Sequence, residues 1–183
     1  MPRTYASSRD KLLDAAEAVL ARDGLAGFNV ESVSREAGVS KGGFFHHFRS
    51  KDALLSAVTE RLVELMQRRL FDFEAADEAP RGRRLRAAVR ASLDAPPIEV
   101  ERMRTLLPAL IASVFDGTVV ADTARRSNEQ MMRWLEKDRV AVGKLLVIQL
   151  ALDGYWLGES FGTFVLDDKQ KAAFRRTLLE LLE

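Results

Sequence analysis

Apolar residues in this chain recur three and four positions apart, the period of an amphipathic helix, from Leu12 almost to the C-terminus. Leu12, Leu13, Ala16, Val19 and Leu20 predict a first helix over residues 9–23. Gly24 ends it, and Phe28 packs back onto its stripe. Val30, Val33 and Ala37 predict a short second helix. Asn29 caps its start, because an asparagine side chain accepts a hydrogen bond from an orphan backbone N–H. Gly38 stops it, since glycine enters the left-handed conformation without a Cβ penalty. Val39 then plugs the corner, and Ser40 caps a third helix that starts at Lys41 and carries Phe44, Phe45, His46, His47 and Phe48. Ser50 caps a fourth helix over residues 51–73, with Leu54, Leu55, Val58, Leu62, Leu65, Met66 and Leu70 as its stripe.

Residues 74–84 carry the first strong break signal and predict a loop. A short helix follows over 85–94, Pro96-Pro97 breaks the chain, and residues 98–116 read as a helix kinked at Pro108. The stretch 106–115 is apolar nearly all round, which suits a buried core helix or the wall of a cavity. Asp116-Gly117 reads as a turn before a helix over 120–137. Residues 140–164 are the most apolar long stretch and contain glycines at 143, 154, 158 and 162, where a second helix can approach closely. Asp167 caps a last helix over 168–182, with Gln170 in the answering capping-box position. No run of alternating residues lies between turn signals as a hairpin requires. The fold class is therefore all-α: a three-helix head over residues 1–50 and a helical bundle over residues 51–183.

Composition narrows the chemistry. The 183 residues are 47% hydrophobic, enough to bury a core, and the net charge is +1, so the chain as a whole is no polyelectrolyte binder. The charge is uneven, however. No acidic residue occurs between Glu36 and Asp52, while Lys41, Arg49 and Lys51 are basic. The absence of cysteine excludes disulfides and thiolate metal sites. The two histidines are adjacent, about 100° apart on a helix, and cannot ligate one metal together. No metal or cofactor is called for. The expected location is cytoplasmic, with no signal-peptide core and no membrane-spanning run; Lys144, Asp153 and Glu159 interrupt the most apolar segment.

Helix, glycine turn, capped second helix and basic exit together form a helix-turn-helix, whose second helix enters the DNA major groove while the first braces it. The residues Ala37-Gly38-Val39-Ser40-Lys41-Gly42, then His47-Phe48-Arg49-Ser50-Lys51-Asp52 and Leu54-Leu55, resemble the TetR (tetracycline-repressor-like) family of bacterial transcriptional regulators. Leu12 to Ala16 and Asp23-Gly24 extend the resemblance, which covers about the first third of the chain. It implies that Asn29, Ser40, Lys41, Gly42, Gly43, Phe45, His46, His47 and Lys51 face double-stranded DNA. TetR-like proteins usually carry tyrosine where Phe45 stands and often threonine where Asn29 stands. Phe45 lacks the phosphate-bonding hydroxyl and offers only apolar contact, for instance to a thymine methyl. Arg3 and Tyr5 lie in a polar terminus that is either a phosphate-touching arm or a free end.

The resemblance further implies a homodimer on a palindromic operator, released by a small, largely apolar effector, with the chain acting as a repressor. Met103, Phe115, Trp134, Tyr155, Trp156 and Glu159 are the candidate effector-binding residues, and the first five are equally suited to a core or a dimer contact. Asp153 and Glu159 are candidates to orient a donor or cationic group, although six residues apart they point to opposed sides of a helix. An enzyme is disfavoured, because no nucleophile–base set, metal helix or phosphate loop occurs. The alternative to a ligand-responsive regulator is an architectural DNA-binding protein with a solid interior.

Overall fold

A computed structural model describes residues 7–115 and 119–183, the side chains of residues 115, 119 and 120 excepted. The Arg3/Tyr5 arm, the Asp116-Gly117 turn and the Phe115 side chain lie outside the described residues. The described residues form nine helices and no strand: α1 Ser8–Gly27, α2 Val30–Ala37, α3 Lys41–His47, α4 Lys51–Ala75, α5 Arg83–Leu93, α6 Pro97–Phe115, α7 Val119–Glu136, α8 Val142–Phe161 and α9 Asp168–Glu180. They divide into two compact units, Met1–Leu62 with Thr105–Arg125, and Val63–Arg104 with Arg126–Glu183.

In the first unit, α1 buries Leu12, Leu13, Ala15, Ala16, Val19 and Leu20. Ser7 accepts from the Asp10 N–H at 3.1 Å and starts the helix. Gly24 interrupts α1 rather than ending it: its φ of 63° and ψ of −166° break the ladder, and a further turn runs to Gly27. Phe28 is buried behind that turn. Arg22 bonds Glu36 at 2.9 Å and ties α1 to α2, and Arg61 bonds Asp14 at 2.6 Å and ties α1 to α4.

In the second unit, Leu145, Ile148, Leu152, Tyr155 and Trp156 are the buried face of α8, and Leu85, Ala88 and Val89 that of α5. Arg69 on α4 bonds Glu99 on α6 at 2.8 Å and also donates to the Ala91 carbonyl oxygen. Buried Asp138 accepts from the Leu85 N–H at 2.9 Å, so the α7–α8 turn caps α5 in place of Gly82, which has no side chain to do so. Tyr155 packs on Phe174 of α9, ring centroids 6.2 Å apart. The last helix has the expected reciprocal cap: Asp167 accepts from Gln170 N at 2.8 Å, and Gln170 accepts from Asp167 N at 3.0 Å.

The chain breaks at the proline pair as expected, between the end of α5 at Leu93 and the start of α6 at Pro97. Pro97 itself opens α6, where its missing N–H would be an orphan anyway and its fixed φ suits the first turn. Helix α6 includes Pro108 and runs to Phe115. The 106–115 stretch is not buried all round: Leu106, Ala109 and Leu110 are buried, whereas Val114 is exposed.

Candidate functional site

The turn between α2 and α3 is built by local bonds. Asn29 accepts from Ser32 N at 2.9 Å and Ser32 Oγ accepts from Asn29 N at 3.1 Å, a reciprocal cap in which serine replaces the usual glutamate. Gly38 takes φ 64° and ψ 31° and ends α2, and the Val39 N–H then reaches back to the Ser34 carbonyl oxygen at 3.0 Å. Ser40 Oγ accepts from Gly43 N at 3.1 Å and starts α3. Ser50 Oγ accepts from Ala53 N at 3.1 Å and starts α4, placing Lys51 exposed in its first turn.

Helix α3 is held from beneath by Phe44, which is fully buried, and by Phe48 just after it. Arg9 lies over the Phe48 ring at 5.5 Å. The opposite face carries Lys41, Gly42, Phe45 and His46, all exposed, with His47 half-buried. Phe45 is 54% exposed on a helix whose other two phenylalanine neighbours are core. A large apolar ring is thus left in water beside lysine and histidine. The two histidine rings meet edge to face, 4.9 Å between centroids. Among the described residues no three potential ligands cluster around a metal position.

The two glycines of α3 separate in the structure. A Cβ on Gly43 would fall 2.6 Å from Val39 Cγ1, so that glycine is needed for the turn to close. A Cβ on Gly42 would meet nothing nearer than Ser40 Oγ at 3.8 Å, so the protein itself leaves that space open. Lys41 is not free: its Nζ lies 3.4 Å from Glu31, which also pairs with Arg35. The acid-free run after Glu36 hid this neighbour, because the tight turn brings Glu31 from ten residues upstream. Exposed pairs of this kind contribute little and yield easily to a phosphate.

A second feature lies within the second unit. Helices α4, α5, α7 and α8 border an open cavity lined by Met66, Leu70, Ala88, Met131, Leu152 and Trp156 among others, with about 60 Å³ of room for the centre of a water-sized sphere. A neighbouring recess shares Leu70 and Met131 with it and adds Gln67, Phe71, Gln130 and Trp134. The Trp134 ring stands edge to face with Phe71 at 5.9 Å and under Arg84 at 5.7 Å. Of the candidate effector residues, Trp156 and Trp134 line these spaces. Met103, Tyr155 and Glu159 line neither and are buried elsewhere. Glu159 accepts from Arg104 of α6 at 2.9 Å, and that bond pushes the Arg104 pKa up. Asp153 borders the cavity instead and stays exposed. Its partial desolvation there raises its pKa above the usual carboxylate value, against the opposing effect of a 3.0 Å bond from Gln149 Nε2. Met66, Leu70, Met131 and Gln149 carried no signal in the sequence that set them apart from ordinary stripe residues.

Comparison with known proteins bears on both features. The pattern of the family described as "Bacterial regulatory proteins, tetR family" matches residues 12–58. A second, "Tetracyclin repressor-like, C-terminal domain", matches residues 82–183. The HTH-type transcriptional regulator BetI of Burkholderia thailandensis is 34% identical over 112 residues, 61% of this chain and 57% of that protein, so the match spans little more than half of its length. BetI of Pectobacterium atrosepticum is 29% identical over 81% of this chain and 80% of its own. A transcriptional regulator from Rhodococcus sp. Rha1 superposes with a TM-score of 0.78 at 21% identity, covering 96% of both chains. The multidrug binding protein EbrR, solved with ethidium, superposes at 0.73 with 20% identity over 96% of this chain and 98% of its own. At such identities the two superpositions speak for the fold alone. Among the described residues no helix is long and apolar enough to cross a membrane.

Proposed function

Since the chain belongs to the tetR family of bacterial regulatory proteins, a family of DNA-binding transcriptional regulators and not of enzymes, we propose that it is a ligand-responsive repressor that binds a palindromic operator as a homodimer. The head is residues 1–50 and the effector and dimerisation body is residues 51–183. The observation that carries the reading is α3 itself. Its inner face is core, while its outer face offers Lys41, an open Gly42, a wet Phe45 and His46. Such a helix fits a major groove, with the ring toward a thymine methyl and the lysine toward a phosphate or guanine edge. Asn29, Ser40 and Lys51 add backbone contacts from the helix starts around it, and Gly43 and His47 complete the surface.

Replacing Lys51 with alanine tests the phosphate role. The expected result is weaker binding to all DNA sequences alike and a salt slope reduced by about 0.9, one phosphate's worth. Titration of operator and random duplex at several salt concentrations reads both, and an unchanged slope sinks the assignment. Gly42→Ala separates DNA approach from folding. Alanine fits the open space and raises helix propensity, so stability is unchanged or rises by up to about 1 kcal/mol while operator binding weakens. Gly43→Ala, by contrast, costs about 1–3 kcal/mol through the Val39 collision. Thermal melts and DNA titrations of the pair distinguish these outcomes; full operator affinity in Gly42→Ala counts against close approach at that position.

A second copy of the chain covers the exposed side of α8. Gly143, Val147, Leu150, Gly154, Leu157 and Phe161 alternate four- and three-residue steps, the spacing of a helix–helix seam. The four large residues among them are exposed, and a Cβ on either glycine meets nothing within 4 Å. An apolar stripe of this length left wet marks an interface. A two-fold pair presents two heads to half-sites about 34–36 Å apart. The effector enters the α4–α5–α7–α8 cavity, and EbrR, of like fold, was solved with ethidium. Helix α4 carries both Lys51 and the cavity residues Met66 and Leu70, so a repacked cavity acts on the helix that follows directly from the head. A coupling of about 1–3 kcal/mol changes operator affinity roughly 5–150-fold. The cavity favours this reading over the architectural one, which calls for a solid body.

A further inference from the structure

We infer that the recess between the α4–α5 loop and the α7–α8 turn is a binding site for a compact multivalent anion of the diphosphate class, held by Arg81, Arg83, Arg84, Lys137 and Arg139. These five cations line one opening, although the two segments that supply them lie far apart in the chain. The opening has about 350 Å³ of room for the centre of a water-sized sphere, against about 60 Å³ in the apolar cavity, and the two share no lining residue among the described ones.

Three carboxylates line this opening or pair with its cations. Glu74 lies 3.0 Å from Arg84 and 3.4 Å from Arg83. Asp138 is buried and accepts from the Leu85 N–H at 2.9 Å, and Glu78 borders the opening. Five cations against three carboxylates leave an excess of two positive charges. Arg81, Lys137 and Arg139 are exposed and form no ion pair among the described residues. Single cations on a convex surface are simply solvated, whereas cations converging on one concave opening add their fields there.

Two further features are unfavourable without an anion. Helix α5 begins with Arg83 and Arg84 and has no acid in its first turn, and Gly82 supplies no side-chain cap. Cations there oppose the helix dipole, and a bound anion reverses the sign of that interaction. Arg139 has φ 54° and is the one non-glycine residue at positive φ among the described residues. Glycine would hold the turn without strain, so the arginine side chain is carried there at a conformational cost. The recess is also held in place. The Asp138–Leu85 bond ties the α7–α8 turn to α5, and the Arg84 guanidinium rests over the Trp134 ring at 5.7 Å. Groups positioned in advance lose less entropy on binding. Arginine forks take phosphate oxygens in pairs, and lysine adds a point charge. A single phosphate reaches only part of an opening of this size, and a neutral molecule leaves the excess charge unmet.

Calorimetry on the full-length chain with inorganic pyrophosphate, inorganic phosphate and a short random duplex tests this. The expected result is one pyrophosphate per chain, bound at least about tenfold tighter than phosphate and more weakly as salt rises. Arg139→Gly should weaken pyrophosphate about tenfold while the melting temperature holds or rises, because glycine relieves the left-handed strain. Lys137→Ala should weaken it similarly. Arg176→Ala, which removes an exposed arginine of α9 that lines no part of the opening, should leave it unchanged. Pyrophosphate binding that is absent at millimolar concentration, that survives both recess substitutions, or that falls equally in Arg176→Ala overturns the inference. So does a nucleic-acid outcome, in which the recess substitutions weaken duplex binding while pyrophosphate neither binds nor competes. The operator and effector readings use other residues and are judged separately.

Discussion

Replacing Leu150 with glutamate is expected to leave each chain folded, to convert dimers to monomers, and to weaken operator binding by about 10²–10⁴-fold. Leu150 sits at the middle of the α8 seam and is 67% exposed in the single chain, so the new carboxylate costs the monomer almost nothing. In a two-fold pair formed through this stripe the residue is expected to face its own symmetry mate, which would bring two carboxylates together where apolar surface should meet. Desolvation and like-charge repulsion then act together. The DNA effect follows from linkage: once one head is bound, the second binds at a high effective concentration only if the heads are joined. Sedimentation at micromolar concentration reads the assembly state, and titration with a two-site and a one-site duplex reads the DNA effect. A dimer that survives the substitution moves the interface off α8. A monomer that retains full operator affinity breaks the link between dimerisation and DNA binding.

Phe44→Ala is expected to cost about 3–5 kcal/mol and to abolish operator binding with it. Phe44 is fully buried beneath α3 and touches Phe48 and Phe45, with ring centroids at 6.1 and 5.3 Å. The loss is a large share of the roughly 5–15 kcal/mol that holds a domain folded. Helix α3 is only seven residues long and has no stability of its own, so its position depends on this ring. The adjacent residue is the control. Phe45→Ala removes an exposed ring and should change stability by less than about 0.5 kcal/mol while weakening operator binding. Denaturant melts and DNA titrations of the two variants give opposite patterns. Similar stability losses in both would show that Phe45 is a packing residue and that the outward face of α3 has been misassigned.

What the amino-acid sequence determined by itself is whatever depends on near neighbours in the chain. Gly38 ends α2 because a left-handed residue is needed there, and Ser40, Ser50, Asp167 and Gln170 cap helices because their partners lie three residues away. The apolar stripes predicted the helices for the same reason, since a period of three and four residues is local. One local stop signal was weaker than it reads: Gly24 interrupts α1 without ending it. Tertiary structure decided everything that depends on what lies across a gap. Gly42 and Gly43 are identical in sequence terms, yet only one meets the Val39 side chain. Asp153 and Glu159 read alike, and only the fold brings Arg104 to Glu159 and leaves Asp153 at the cavity. The unsatisfied Trp156 N–H belongs to the same class. Periodicity places such side chains on a face of α8 but says nothing of what the facing helices offer them, and that decides whether the protein itself neutralises a polar group.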